Sequence, residues 1–282
     1  MRETGQFRLA VGFFDGVHLG HRQILRGASA ALTFENHPLS VLAPERAPRL
    51  IMSWNARAKA IMALGVRVTA LEFDADLAAR PPEAFLAQMI GLAEGAPLVV
   101  RCGANWRFGR GGAGDAGWLR ARGVSVEIVP YVDYEGAPVS SSRIRAALSR
   151  GEIEAANAML GRPYAVSGEV VKGKGLGAEI GYPTLNVVPE LPDAKDGRLP
   201  IPFGVYAADV GGVKAVANYG FAPTMGARAW ASPVLEVHLL SAIPPADLRS
   251  PSVSMIRFIR AERTFDSVDG LRAQIAADVA SV

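Results

Sequence analysis

Short apolar runs alternate with helix-like stretches through the first half of the chain. From Phe7 to about Val129 the runs are Leu9–Phe13, Ala31–Phe34, Arg67–Leu71, Leu98–Arg101 and Val124–Ile128. Strand-length runs spaced by helical segments predict a doubly wound parallel sheet with crossover helices. The alanine-rich stretch Ala56–Gly65 reads as a helix closed by a glycine, and Pro82–Leu92 opens with prolines and an acid, as helix starts often do. Such sheets take their ligands beyond the carboxyl ends of the strands, so chemistry is expected in the loops that follow these five runs.

The pattern changes past the middle of the chain. Ser142–Leu160 predicts two short helices broken at Gly151, and Gly161-Arg-Pro163 then stops helical structure. This places a domain boundary between residues 160 and 161, giving domains 1–160 and 161–282. Beyond it, Ala165–Val171, Val205–Val210, Val213–Asn218, Val234–Leu240 and Val253–Ile259 have alternating or β-branched content between Gly and Pro clusters, which predicts a mainly antiparallel barrel or sandwich. A C-terminal helix closes the chain, with Val268, Leu271, Ile275 and Val279 spaced by three or four.

Composition narrows the function classes. Half of the 282 residues are apolar and a fifth are charged, enough for two ordinary cores. The formal charge of +3 comes from 30 basic against 27 acidic side chains without a basic run, so anionic small molecules fit and nucleic acid is not expected as a partner. The single cysteine, Cys102, excludes a disulfide framework and a cysteine-rich zinc site and suits a reducing cytoplasm. The start lacks an apolar signal core and no segment approaches the length of a membrane span, so a soluble, cytoplasmic protein without membrane contact is expected. A homo-oligomer is compatible with all of this.

The first candidate phosphate site is Gly12-Phe-Phe-Asp-Gly-Val-His-Leu-Gly-His21. Gly12, Gly16 and Gly20 let backbone approach a ligand, and the helix that begins here offers unpaired N–H groups to phosphate. His18 and His21 share a face if both lie in the first helical turn, where they can donate to a phosphorus centre gathering charge. At Ser140, Ser141 and Ser142, hydroxyls can cap a helix or bind an anion, and Arg143 and Arg145 can hold phosphate oxygens. Asn105, Trp106 and Phe108 could pair with and stack on a planar ring.

Four segments in order resemble the bacterial riboflavin kinase/FAD synthetase family. Gly12–His21, with Phe14 and Asp15, resembles its G-x-F-D-G-x-H-x-G-H signature, and Thr33-Phe-Glu-Asn-His37-Pro resembles its T-F-[DE]-P-H-P loop. Gly103-Ala-Asn-Trp-Arg107-Phe-Gly109 resembles its FMN-associated G-x-N-F-x-F-G segment, and Ser140–Arg145 its S-S-T-x-I-R segment, which closes on the ATP triphosphate. The resemblance implies a Rossmann-like nucleotidyltransferase domain in which FMN attacks the α-phosphorus of Mg-ATP. His18, His21 and Arg143 would stabilise the transition state, with His37, Asn105, Trp106, Arg107 and Phe108 on the flavin side.

The second half carries its own phosphate motif. Gly173, Gly175, Gly177 and Gly181 make a flap with Lys172 and Lys174 available to phosphate, and Thr184 and Asn186, two apart, can present two neutral oxygens to Mg²⁺. This stretch resembles the riboflavin kinase signature G-x-G-x-G-x-x-x-G-x-P-T-A-N. Val216–Thr224 resembles V-A-N-x-G-x-x-P-T, and Leu235-Glu-Val-His-Leu-Leu240 resembles E-x-H-L-L. The resemblance makes Glu236 the catalytic base that takes the proton of the ribityl hydroxyl, and sets Arg260 and Glu262 on the flavin side. It implies a bifunctional enzyme that uses ATP to turn riboflavin into FMN and FMN into FAD.

Departures from the family pattern touch both sites. The interval from His21 to Thr33 is about a dozen residues short of the usual one, which predicts a tight first crossover and impaired adenylylation. Asn36 stands for a proline, Ala104 for an acid, Leu185 for an alanine and Ser241 for an aspartate. A riboflavin kinase with a degenerate nucleotide- or flavin-binding first domain is therefore the alternative. A non-enzymatic nucleic-acid- or flavin-binding protein is the remoter one.

Overall fold

The computed structural model describes residues 5–173, 175–192, 197–221, 233–241 and 248–282. Contacts divide the chain into two compact units: Met1–Pro48 with Trp54–Ser141, and Arg49–Ser53 with Ser142–Val282.

The first unit is built on the parallel sheet the sequence predicts. Its strands are β1 (Phe7–Val11), β2 (Ala30–Phe34), β3 (Arg67–Leu71), β4 (Leu98–Gly103) and β5 (Ser125–Val129), in spatial order β3-β2-β1-β4-β5. Helices α1 (Leu19–Leu25), α2 (Pro38–Leu42), α3 (Trp54–Met62), α4 (Ala75–Ala79), α5 (Pro82–Leu92) and α6 (Ala116–Arg120) make the connections. A small hairpin, β6 (Asp133–Tyr134) with β7 (Ala137–Pro138), follows β5. The strand order reverses at β1 and β4, so the loops after these strands lie where such sheets take ligands.

The shortened first crossover closes. Its helix α1 has only seven residues, yet β1 and β2 pair in register as Leu9↔Ala30, Ala10↔Ala31 and Val11↔Leu32. One fully buried side chain, Leu25, anchors it. Adjacent strands need only a short bridge, so the missing length comes out of the helix and not out of the sheet.

Leu9, Val11, Leu32, Phe85, Met89, Val100 and Leu119 fill the core beside β1 and β4, together with Cys102. Burial pushes the Cys102 thiol up to about 11, against a smaller opposing pull from Arg120. At pH 8 the thiol therefore stays protonated and shielded, and a thiol reagent labels it only when the first unit opens. Labelling of the native protein as fast as of a urea-unfolded sample would contradict this packing.

The second unit is a closed antiparallel barrel with helical additions. Its strands are β8 (Tyr164–Val171), β9 (Leu185–Pro189), β10 (Gly204–Val210), β11 (Val213–Gly220), β12 (Val234–Leu239) and β13 (Ser252–Ala261), in spatial order β10-β11-β12-β9-β8-β13. Closure satisfies both strand edges, and Val187, Tyr206, Ala217, Tyr219, Leu235 and Met255 fill the interior. Helices α7 (Ser141–Ser149) and α8 (Ile153–Leu160) precede the barrel, α9 (Leu176–Glu179) lies in the flap, and α10 (Val268–Ala280) ends the chain. Asn157 of α8 donates to the Met255 carbonyl at 2.9 Å and accepts from the Tyr164 amide at 2.7 Å, which fastens α8 to the barrel. Contacts group Ser142–Leu160 with the second unit.

Candidate active sites

The loop between β1 and α1 is strained and tightly held. Phe14 and Val17 have φ of +58° and +41°, a region side chains rarely occupy. Such outliers cost on the order of 1–3 kcal/mol each and persist where their surroundings over-determine them, often at functional loops. Here Thr33 Oγ1 donates to the Phe13 carbonyl at 3.1 Å and Ser141 Oγ donates to the Asp15 carbonyl at 2.9 Å. Phe14 and Val17 are buried, and Asp15 and His18 lie in the same interior at 2% and 5% exposure.

His18 and His21 meet as the sequence predicts. His18 caps α1, its Nδ1 accepting the His21 amide at 3.3 Å, and the two rings stack with centroids 3.5 Å apart. An accepting Nδ1 carries no proton, so the ring hydrogen of His18 sits on Nε2 as a donor. Phe14 meets the His21 ring edge-on, with centroids 5.4 Å apart. Ser140 and Ser141 follow the hairpin, and Ser141 begins α7. Ser142, Arg143 and Arg145 come next on this helix, where Arg145 donates to Ser142 Oγ at 3.2 Å.

The loop after β2 is held by His37 and Asn36. His37 caps α2 by accepting the Leu39 amide at 3.1 Å, and its ring meets Phe13 edge-on at 4.7 Å. Asn36, standing where the family has proline, exchanges hydrogen bonds with the Phe73 backbone: Nδ2 to the carbonyl at 2.8 Å and the amide to Oδ1 at 2.7 Å. The substitution therefore replaces a rigid ring with a link to the loop after β3.

The Gly103–Gly109 segment at the end of β4 divides between surface and core. Asn105 is exposed and Trp106 half-buried, while Arg107 pairs with Asp115 at 2.5 Å. Phe108 lies in the core instead of on the ligand side. Its ring is packed by Trp106, Phe85 and Trp118 at 4.8–5.5 Å, and a Cβ on Gly114 would overlap it. Phe108 supports Trp106, which stacks on it at an interplanar angle of 18°.

In the barrel, three predicted or neighbouring polar residues form one row. Cross-strand pairing sets Asn186 of β9 opposite Glu236 of β12, and Glu236 opposite Asn218 of β11. Directly paired residues share a face of the sheet, here the face opposite the buried Leu235, Val237, Ala217 and Tyr219. Burial first, then the nearby Glu262 charge, raises the Glu236 carboxyl above its usual range, while a hydrogen bond from Asn218 opposes the rise. Glu262 is raised by burial too, against Asn218 and Arg260. A Cβ on Gly220 would overlap the Glu262 carboxylate, so this glycine makes room for the second acid. Asn218 was legible only as part of the V-A-N-x-G segment, and its facing of Glu236 comes from register.

The glycine flap lies against the proposed metal pair. A Cβ on Gly173 would overlap the Asn186 amide, and one on Gly177 would come 3.2 Å from Thr184 Oγ1. Gly175, at φ +82°, turns the chain between them. His238 Nδ1 meets the Pro183 carbonyl at 2.8 Å and so ties the Thr184 segment to β12. Lys174 and residues 222–224 of the V-A-N-x-G-x-x-P-T segment lie outside the described residues. Gly173→Ala is expected to displace Asn186 and lower riboflavin phosphorylation about 10²-fold, the cost of a misplacement near 1 Å. FAD formation started from FMN should be unchanged, and equal kinase rates in variant and wild type would contradict the close approach.

Arg260 has a different setting from the flavin contact expected on sequence. Its guanidinium grips Asp278 of α10 through Nε at 3.0 Å and Nη2 at 2.7 Å, and Gln274 adds a bond to the same carboxylate at 2.7 Å. Asp278 is 3% exposed. Removing one partner of a buried pair costs about 3–5 kcal/mol, so this contact fixes α10 on the barrel.

A parallel sheet with two stacked histidines after its first strand, followed in the chain by a closed barrel with a glycine flap beside Thr184 and Asn186, fits a two-part phosphate-transfer enzyme. Residues 2–143 match the family model described as FAD synthetase, and residues 160–282 match that described as riboflavin kinase. The bifunctional riboflavin kinase/FMN adenylyltransferase of Escherichia coli (strain K12) is 33% identical over 290 residues, 96% of this chain and 90% of that one. The protein of the same description from Bacillus subtilis (strain 168) is 31% identical over 299 residues, covering 98% and 91%. The chain belongs to the bifunctional riboflavin kinase/FMN adenylyltransferase family and carries both of its catalytic domains.

A solved structure described as a macrolide-efflux protein from Streptococcus pneumoniae has the same fold, with a TM-score of 0.81, 28% identity and coverage of 98% and 93%. Among the described residues of the present chain, no helix is long and apolar enough to cross a membrane.

Proposed function

We propose that the barrel phosphorylates riboflavin to FMN with release of ADP and that the first domain joins FMN to AMP, releasing pyrophosphate. The observation that carries the kinase assignment is the row Asn186–Glu236–Asn218 across three neighbouring strands. In this reading the terminal ribityl hydroxyl attacks the γ-phosphorus of ATP while a Glu236 oxygen takes its proton. Burial and the neighbouring Glu262 make Glu236 a stronger base than a solvated carboxylate. Asn218 orients it.

Thr184 Oγ1 and Asn186 Oδ1 would hold Mg²⁺. Two neutral hard oxygens suit an ion that keeps waters and phosphate oxygens in its remaining positions. Bound there, Mg²⁺ would neutralise charge on the triphosphate. Gly173 and Gly177 lie beside this pair, a placement suited to covering phosphates.

In the first domain the FMN phosphate is already ionised, so no strong base is needed for its attack on the α-phosphorus. His18, through Nε2–H, and His21 would donate to the charge that builds there. Arg143 and Arg145 would hold phosphate oxygens, as would the hydroxyls of Ser140, Ser141 and Ser142; the glycines of the Gly12–Gly20 loop would let backbone approach the nucleotide. His37, Asn105, Trp106 and Arg107 would face the flavin. A reducing cytoplasm suits the one buried thiol, Cys102.

The division is tested by the position of label. Riboflavin with γ-labelled ATP should give labelled FMN, and FMN with α-labelled ATP should give labelled FAD. Label from the α-phosphate in FMN, or none from it in FAD, would overturn the assignment.

A further inference from the structure

Arg57 of α3 is among the largest fully buried side chains, at 1% exposure. Its Nη2 donates to two successive carbonyls at the end of β2, Phe34 at 2.6 Å and Glu35 at 2.7 Å. The guanidinium lies over the Phe13 ring at 3.9 Å and over Trp54 at 5.1 Å. Phe13 is the residue before the strained Phe14, its carbonyl accepts from Thr33, and its ring edge meets His37. One buried cation therefore contacts the segments that leave β1 and β2: the loop that leads into His18 and His21, and the loop carrying His37.

Burying a guanidinium is far costlier than burying an apolar side chain of similar length, so a site that only needed filling is better served by methionine. What methionine lacks is the pair of donors that grip carbonyls where β2 ends. It also lacks the planar charge that locks Phe13 by a cation–π contact. Both lost features act on loop placement.

We infer that Arg57 is a positioning residue for adenylyl transfer, bracing the β1–α1 and β2–α2 loops against each other without touching FMN or ATP. This rests on the first domain being the adenylyltransferase. The test uses the full-length chain, because its riboflavin kinase activity is an internal control. For Arg57→Met we expect the kcat for FAD formation from FMN to fall about 10²-fold, as for a misplacement near 1 Å. The KM for FMN should stay within about threefold, and riboflavin phosphorylation should be unchanged. Arg57→Lys, which keeps a charge and an N–H donor but loses the planar fork, should recover part of the rate.

Wild-type kcat in Arg57→Met, or a raised KM with kcat unchanged, would overturn the inference, the second because Arg57 would then be binding substrate. Failure of Lys to recover more than Met would do so as well. Protection of Cys102 from a thiol reagent reports whether the first unit of each variant is folded. If Arg57→Met loses that protection, Phe13→Leu, which removes the ring and leaves both carbonyl bonds, must show the kcat loss with Cys102 protected. An unchanged kcat there refutes the inference. A wild-type enzyme that makes no FAD refutes the underlying assignment instead.

Discussion

Glu236→Gln lowers riboflavin phosphorylation about 10²–10⁴-fold, the range a positioned general base contributes, and leaves FAD synthesis from FMN intact. Gln has nearly the same shape and keeps a carbonyl oxygen for the Asn218 donor, so the row across β9, β12 and β11 should survive. What it loses is the ability to take a proton from the ribityl hydroxyl. The effect should fall on kcat, with KM for ATP and riboflavin little changed, because a base acts in the transition state. Steady-state kinetics of FMN formation check this. Near-wild-type kcat in Glu236→Gln would remove the residue from the mechanism, and Glu262 would be the next acid to test.

His21→Ala produces the mirror-image result: FAD synthesis falls about 10²–10³-fold, as on loss of one preorganised donor to a developing charge, and FMN formation persists. His21 is the cleaner of the two histidines. His18→Ala also removes the Nδ1 acceptor that caps α1, worth about 0.5–2 kcal/mol, and so mixes a folding effect with the chemical one. The rings stack at 3.5 Å, so they act as a unit, and the double variant should cost less than the two single losses combined. An assay started from FMN, with Cys102 protection as the folding control, measures it. A rate within a few-fold of wild type would show that the stacked pair does not serve the transfer.

Much of the architecture is legible in the pattern of apolar positions. All five runs of the first half are strands of the parallel sheet, and five of the six barrel strands fall on the predicted segments. The strand β9 escaped because Pro183 and Pro189 bracket it, and proline reads as a strand breaker. Short α2, α4 and α6 carry too few residues to display a helical period.

The sites were legible as far as motif residues go. His18, His21 and Glu236 announce themselves by residue type and spacing. Asn218, Arg57 and Asn36 act through cross-strand register, a cation–π face and backbone carbonyls, none of which leaves a local pattern. Packing adds what the motif does not show: Phe108, a stacking ring in its motif, is enclosed by Phe85, Trp106, Trp118 and Gly114. The grip of Arg260 on Asp278 likewise leaves no mark in the sequence. The short interval after His21 suggested a damaged first site. The pairing of β1 with β2 removes that reason, because a seven-residue α1 suffices to bring His18 and His21 together.

The central claim is that one chain performs both transfers, and the step in question is the second. Purified protein given FMN and Mg-ATP, with no riboflavin, should form FAD and pyrophosphate in equal amounts by chromatography. A parallel reaction from riboflavin should pass through FMN to FAD. FMN accumulation from riboflavin with no FAD or pyrophosphate from FMN would contradict the account and leave only the kinase.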